Sequence, residues 1–305
     1  MEARLRWVLV TALAPIAWGT TYFVTHRYLP AGYPLYGAAI RALPAGLLLL
    51  VVSRRLPSGA WWWRSLVLGT LNMGAFFALV YLAAQTLPTS IASTIMALAP
   101  IVLMLLAWPA LAEKPQAPHL AGAVIGIAGV CLMLFTGPIA VNPRGVLASV
   151  AAMLMSSCGY VLAKKWSSGI DVFSLTSWQL IAGGLMLVIA AVTIEGSPPA
   201  LDGRALTAFG YVSVVATALA FAAWFAGLRH LSAGTVGLIG LLNPVTGTLL
   251  GVLVAGETLT VRQLGGLALV LAGILLGQRA SVGSDHGRDR GRRRDRRAFL
   301  RAGAD

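Results

Sequence analysis

Arg41 stands inside an otherwise apolar run, 33–53, and is the one formal charge that falls within such a run. A charge at membrane depth costs at least about 2.5 kcal/mol even on lenient scales. Arg41 is seven to eight residues from the outer end of its run, roughly 11 Å deep at about 1.5 Å per residue. Two uses fit that position. The guanidinium faces a central cavity and binds a substrate carboxylate, or it snorkels outward or ties carbonyls between helices. Other polar and aromatic groups at depth are Trp18, Thr20, Thr21, Asn72, Tyr81, Trp178, Gln179, Tyr211, Trp224 and Asn243. Trp18, Thr20, Asn72, Tyr81, Trp178, Gln179 and Trp224 join Arg41 as candidates to bind substrate. Asn72 and Gln179 read first as partners in helix–helix hydrogen bonds, because buried amides need partners. Trp178 and Trp224 fit a cavity wall or an interfacial belt. Asn243 precedes Pro244, whose ring removes a backbone hydrogen bond, so its amide reads first as a cap for the opened carbonyls.

The sequence gives no basis for an enzyme, metal or cofactor site. No His pair has metal-ligand spacing and no Ser/His/Asp set is evident. Cys131 and Cys158 sit alone in apolar runs, where they read as small packing residues. Glu113 and Glu257 mark the ends of the fourth and ninth apolar runs. A carboxylate there caps the N-terminus of the next helix favourably. With no Asp or Glu at mid-depth, a buried proton relay is hard to draw, and the energy source stays open.

These residues need long apolar elements to position them. The chain is 58% hydrophobic and 11% charged, against about 25% charged in a soluble domain. A water-facing surface of ordinary polarity cannot be built from it. About 20 apolar residues cross the hydrocarbon core as a helix, and such runs are too long and uniform for barrel strands. The stretch 65–112 has no charge and is broken by Leu87-Pro88-Thr89, so it predicts two spans. Further spans are predicted at 7–25, 33–53, 119–136, 145–163, 172–194, 205–228, 230–256 and 261–279. The fold class is therefore all-α integral membrane, with ten transmembrane helices. The first run reads as an uncleaved helix, being long for a signal peptide.

Basic residues orient the bundle. With the N-terminus inside, 18 Lys and Arg fall in inside segments and 4 in outside ones, Arg41 set apart. That asymmetry predicts cytoplasmic N- and C-termini in the inner membrane. Trp61-Trp62-Trp63, beside Arg64, reads as an interfacial anchor. The tail 280–305, rich in Arg, Gly and Asp, is predicted to be disordered; it contacts anionic lipid or serves as a solvated topology anchor. Eight of the 23 basic residues fall between Arg288 and Arg301, and no basic, aromatic face exists for nucleic acid.

Shifted by 144 residues, the sequence matches itself. Pro100 meets Pro244, Glu113 meets Glu257, Gly122 meets Gly266 and Gly129 meets Gly273. Upstream the shift is 138, and Arg41-(x)3-Ala45-Gly46-Leu47 meets Gln179-(x)3-Gly183-Gly184-Leu185. Two units of five helices, 7–137 and 144–279, follow. An odd number of crossings per unit inverts the second copy, and inverted repeats are a transporter signature.

The stretch Leu231–Gly277, with Pro244, the sequence Gly-Glu-Thr-Leu-Thr at 256–260 and a glycine-rich last run, resembles the EamA branch of the drug/metabolite transporters. Ala99-Pro100, Glu113, Trp18-Gly19-Thr20 and Arg41 fit the same pattern, although Lys114-Pro115-Gln116 stands where the second half has Thr258-Leu259-Thr260. The resemblance implies a ten-helix carrier that exports amino acids or related small metabolites. A multidrug or lipid-carrier exporter and a non-transporting scaffold or receptor subunit are the alternatives. A small-molecule substrate and membrane lipid are the expected partners; oligomeric state is not legible.

Overall fold

The computed structural model describes residues 2–28, 32–87, 92, 95–134, 142–255 and 260–278. Among them all regular structure is helical. The helices are α1 (Glu2–Tyr28), α2 (Pro34–Ser53), α3 (Trp61–Gly69), α4 (Ala75–Thr86) and α5 (Ala99–Leu111). After them come α6 (Ala117–Leu134), α7 (Pro143–Trp166), α8 (Val172–Ile194), α9 (Gly203–Ser213) and α10 (Ala220–His230). The last are α11 (Ala233–Gly240), α12 (Leu242–Ala255) and α13 (Val261–Gln278). Among the described residues, eight helical stretches are long and apolar enough to cross a membrane. α1, which opens with Glu2, Arg4 and Arg6, and the 13-residue α5 stand outside that set.

Local chemistry sets the ends. Asn142, Asp171, Asp202 and Ser232 each accept a backbone N–H in the first turn of the helix they precede; this satisfies donors that have no partner within the helix. Pro34 and Pro143 open α2 and α7, where a missing N–H costs nothing. Ala112 ends α5 with φ 56°, and α6 begins at Ala117. Pro244 cannot tolerate a helical carbonyl four residues earlier, and the helix breaks at Leu241, between α11 and α12.

Among the described residues, two helices carry a π-helical turn. Thr70–Gly74 joins α3 to α4, and Val214–Leu219 joins α9 to α10. Their first residues are 144 apart, the offset of the internal repeat. An extra residue in the turn leaves backbone groups off the regular ladder, where a neighbour can reach them.

The repeat-related glycines meet one another crosswise. A methyl group on Gly129 would lie 2.6 Å from the carbonyl oxygen of Gly266, and one on Gly122 would strike that of Gly273. Gly122 is the repeat mate of Gly266 and Gly129 that of Gly273, so the two contacts exchange partners. α2 and α8, an extensive helix pairing, repeat the arrangement. A methyl on Gly46 would sit 2.9 Å from the nitrogen of Ile181, and one on Gly184 would sit 3.0 Å from that of Leu43. In both crossings the helices run antiparallel. A two-fold axis perpendicular to the helices produces this exchange of partners.

Arg4 donates to the backbone and side-chain oxygens of Gln278 at 3.1 and 3.3 Å, so the start of α1 and the end of α13 share one end of the bundle. That end also gathers Arg55 with Asp171, Arg229 on the carbonyl of Ile170, and Trp7 stacked on His230 at 3.6 Å. Asp171 caps α8. Burial would raise its carboxyl, but the hydrogen bonds from Ser174 and the charge of Arg55 outweigh burial and hold it below the usual range. Its cap is therefore in place at neutral pH and is lost as pH falls through that depressed value. Leu13, Val51, Ile189 and Leu253 are exposed on the outer surface, as lipid contact requires.

Candidate functional site

The guanidinium of Arg41 reaches from α2 to the π turn after α9. Its Nε donates to Thr217 Oγ1 at 3.1 Å and one terminal nitrogen donates to the Ala216 carbonyl at 3.3 Å. Its charge lies 4.8 Å from the ring centre of Phe77, a favourable cation–π placement. Arg41 therefore ties an irregular stretch of backbone, and it also places a positive charge against an aromatic wall.

That wall continues inward. Phe77 contacts Phe221 at 6.4 Å between ring centres, and Phe221 contacts Trp18 at 4.9 Å. Trp18 meets Trp224 at 5.2 Å, and Trp224 meets Tyr160 at 5.4 Å. The rings come from α1, α4, α7 and α10, so both halves of the chain contribute. The indole N–H groups of Trp18 and Trp224 are buried with no hydrogen-bond partner. Beside them Thr20 donates to the Ala17 carbonyl at 2.7 Å, so the Tyr211 hydroxyl donates to Thr20 Oγ1, also at 2.7 Å.

A second polar link mirrors the first. Asn72, in the π turn after α3, donates its Nδ2 to Gln179 Oε1 at 2.7 Å, and Gln179 donates to the Leu175 carbonyl at 3.0 Å. Gln179 is the repeat mate of Arg41, and Asn72 that of Ala216. Each half thus sends a polar side chain from its second helix to the π turn of the other half. The copies differ in chemistry: one link carries a charge, and the other is a buried pair of neutral amides. A methyl group on Gly159 would collide with Asn72 Oδ1, so the amide also fixes the approach of α7.

Tyr81 lies beside Gly37 of α2, its hydroxyl 3.3 Å from where a methyl there would sit. Trp178 packs on Trp61 at 5.5 Å and donates to the Arg55 carbonyl at 2.8 Å, apart from the Trp18 cluster. The Asn243 carbonyl lies against Gly19. Pro100 opens α5, as Pro244 opens α12. Glu257 lies outside the described residues.

Glu113 caps a different helix from the one its sequence position suggests. Its carboxylate accepts the Ala233 N–H at the start of α11 at 2.8 Å and pairs with Lys164 at 2.6 Å, and Lys164 also donates to the Leu231 carbonyl at 2.6 Å. α6, the next helix in sequence, is not the recipient. Glu195 acts similarly at the opposite end and accepts the N–H groups of Leu35 and Tyr36 at 2.6 and 2.9 Å. Both carboxylates sit at helix N-termini, where negative charge is favourable. Glu113→Ala leaves the Ala233 N–H and the Lys164 charge without their partner. The expected result is a loss of about 1–3 kcal/mol, read as a lower thermal midpoint in detergent and partly recovered in a Glu113→Ala/Lys164→Met double variant.

Sequence reading did not single out Thr217, Tyr160, Phe77, Phe221, Lys164 or Glu195 as functional. Glu195 had a visible signal, because it closes the charge-free run 172–194. Thr217 had none, since only the π turn makes it a partner for Arg41.

A helical bundle with an apolar outer surface, a half-buried arginine at depth and an aromatic cluster drawn from four helices fits a multi-pass membrane protein. The chain belongs to the EamA-like transporter family, which matches it twice, at residues 5–135 and 143–277. It is 36% identical over 271 residues to Protein PecM of Dickeya dadantii, covering 88% of this chain and 91% of that one. It is 27% identical to a protein named "Probable amino-acid metabolite efflux pump" of Salmonella typhimurium, covering 87% and 92%. A solved crystal structure, 19% identical, superimposes with a TM-score of 0.78 over 89% of this chain and 96% of that one, so the two share a fold.

Proposed function

We propose that the protein exports amino acids or related small metabolites by alternating access. In this reading ten transmembrane helices form two inverted five-helix repeats, 7–137 and 144–279, with both termini cytoplasmic. The crosswise exchange of repeat-related partners, in α2 with α8 and in α6 with α13, carries the reading. It supports an axis lying in the membrane plane, the relation that lets two halves rock about a midplane site. The basic residues Arg4, Arg55, Lys164 and Arg229 share the end where the chain starts, and this supports that end as cytoplasmic. The efflux name of the Salmonella relative supports the direction and the substrate class.

The test is a comparison of growth media from cells with and without overexpression. One or a few small metabolites are expected to accumulate outside the overexpressing cells. If the medium is unchanged and vesicles containing the purified protein move no solute, the scaffold or receptor reading takes its place.

A further inference from the structure

We propose that the indole N–H groups of Trp18 and Trp224 form a donor pair that binds the carboxylate of a small organic anion with an apolar body, without requiring an ammonium group on the ligand. This rests on the transport reading above and names its substrate class.

More than about 90% of buried polar groups find a partner, and an orphaned donor costs roughly 1–3 kcal/mol. Two orphans in touching rings are therefore a concentrated cost. Packing accounts for the size of the rings but not for the donor that each carries. The contrast with Trp178 is direct, because its N–H is donated to the Arg55 carbonyl at 2.8 Å. Trp224 is only 4% exposed, so bulk water does not satisfy it. An indole nitrogen donates and never accepts, and its complement is an acceptor oxygen. The positive charge of Arg41 meets the same cluster through Phe77 and Phe221, which favours an acceptor that is also an anion. Trp18 and Tyr160, which are partly exposed within the cluster, offer ring surface to an apolar body. The described carboxylates, Glu2, Glu113, Asp171, Glu195 and Asp202, lie at or just beyond helix ends. None of them is placed to receive an ammonium at the cluster.

Calorimetric titration of the purified protein separates the possibilities with three probes that share a phenyl ring: 3-phenylpropionate, phenylalanine and 2-phenylethylamine. The first two are expected to bind alike, and 2-phenylethylamine to bind at least about tenfold more weakly. Trp18→Phe and Trp224→Phe are each expected to weaken 3-phenylpropionate by about fivefold. Trp224 is buried, so its smaller replacement leaves a void and lowers the thermal midpoint. A merely structural role for the indoles therefore shows as an equal loss of affinity for 2-phenylethylamine and 3-phenylpropionate, whereas loss of the donors weakens binding of the carboxylate probe alone. The proposal is overturned if 2-phenylethylamine binds as tightly as 3-phenylpropionate. It is also overturned if the Trp18→Phe/Trp224→Phe protein binds 3-phenylpropionate like the parent, or if the parent binds none of the probes. Probe binding that depends on both indoles in a protein that exports nothing sinks the transport reading and leaves this site standing. Export alongside binding indifferent to the indoles does the reverse.

Discussion

Replacing Gly266 by alanine is expected to destabilise the protein by about 1–3 kcal/mol, the usual range for overpacking, whereas the same change at Gly265 leaves stability unaltered. The two residues are neighbours on α13 and differ in what they face. A methyl at Gly266 would lie 2.6 Å from the Gly129 carbonyl and 2.9 Å from both the nitrogen and the Cβ of Met133. Two of those atoms are backbone and cannot turn away. At Gly265 the nearest atom is a Leu132 methyl at 3.6 Å, an ordinary contact. Helices in lipid associate through close packing, because lipid tails are as apolar as leucine. A wider separation of α6 and α13 is therefore not compensated elsewhere. Thermal unfolding of the two variants in detergent checks this directly, and Gly129→Ala is expected to behave like Gly266→Ala. Equal midpoints for Gly265→Ala and Gly266→Ala would show that the helices do not cross there.

Arg41→Gln is expected to leave a folded protein whose export rate falls about ten- to a hundredfold, since losing a hydrogen bond to a charged group costs about 1.5–3 kcal/mol. Glutamine keeps an N–H that can serve the Ala216 carbonyl, so the irregular backbone retains a tie. It lacks the charge over Phe77. Arg41→Leu removes both and is expected to lower the thermal midpoint as well. Comparing the two in an efflux assay separates the structural tie from the electrostatic one. A glutamine variant that moves acidic and neutral substrates as well as the parent would leave Arg41 with a purely structural role.

The helical runs were legible because charges and prolines punctuate them. Val172–Ile194 coincides with its predicted bounds, and Pro143–Trp166 differs by two or three residues at its ends; α6 starts two residues before its predicted start at 119, and its predicted end at 136 lies outside the described residues. Those shifts fall where a proline or capping residue, not hydropathy, decides the start. The glycine matches at 122/266 and 129/273 were visible as a repeat. Their crosswise meeting was not, because a spacing does not say which helices touch. Arg41 was conspicuous by its charge, but its two uses were indistinguishable until the π turn supplied Ala216 and Thr217 as partners. Nothing in the residues 214–219 announces that turn. Asn72 and Gln179 stood out as lone amides, and their pairing required two helices from different halves to be neighbours. The orphaned indole donors were invisible in principle, since a tryptophan in a sequence does not reveal whether its nitrogen has a partner.

The carboxylate of Glu195 has a consequence for how the chain is made. It caps the first turn of α2 from 160 residues further along the chain. At about 5–20 residues per second, the ribosome delivers that cap roughly 8–30 s after α2 has emerged. In the interval the Leu35 and Tyr36 amides must be held by water or headgroups, with the helix start kept near the surface. The first half is therefore an insertion intermediate rather than a finished unit, and it should engage membrane chaperones until its counterpart arrives.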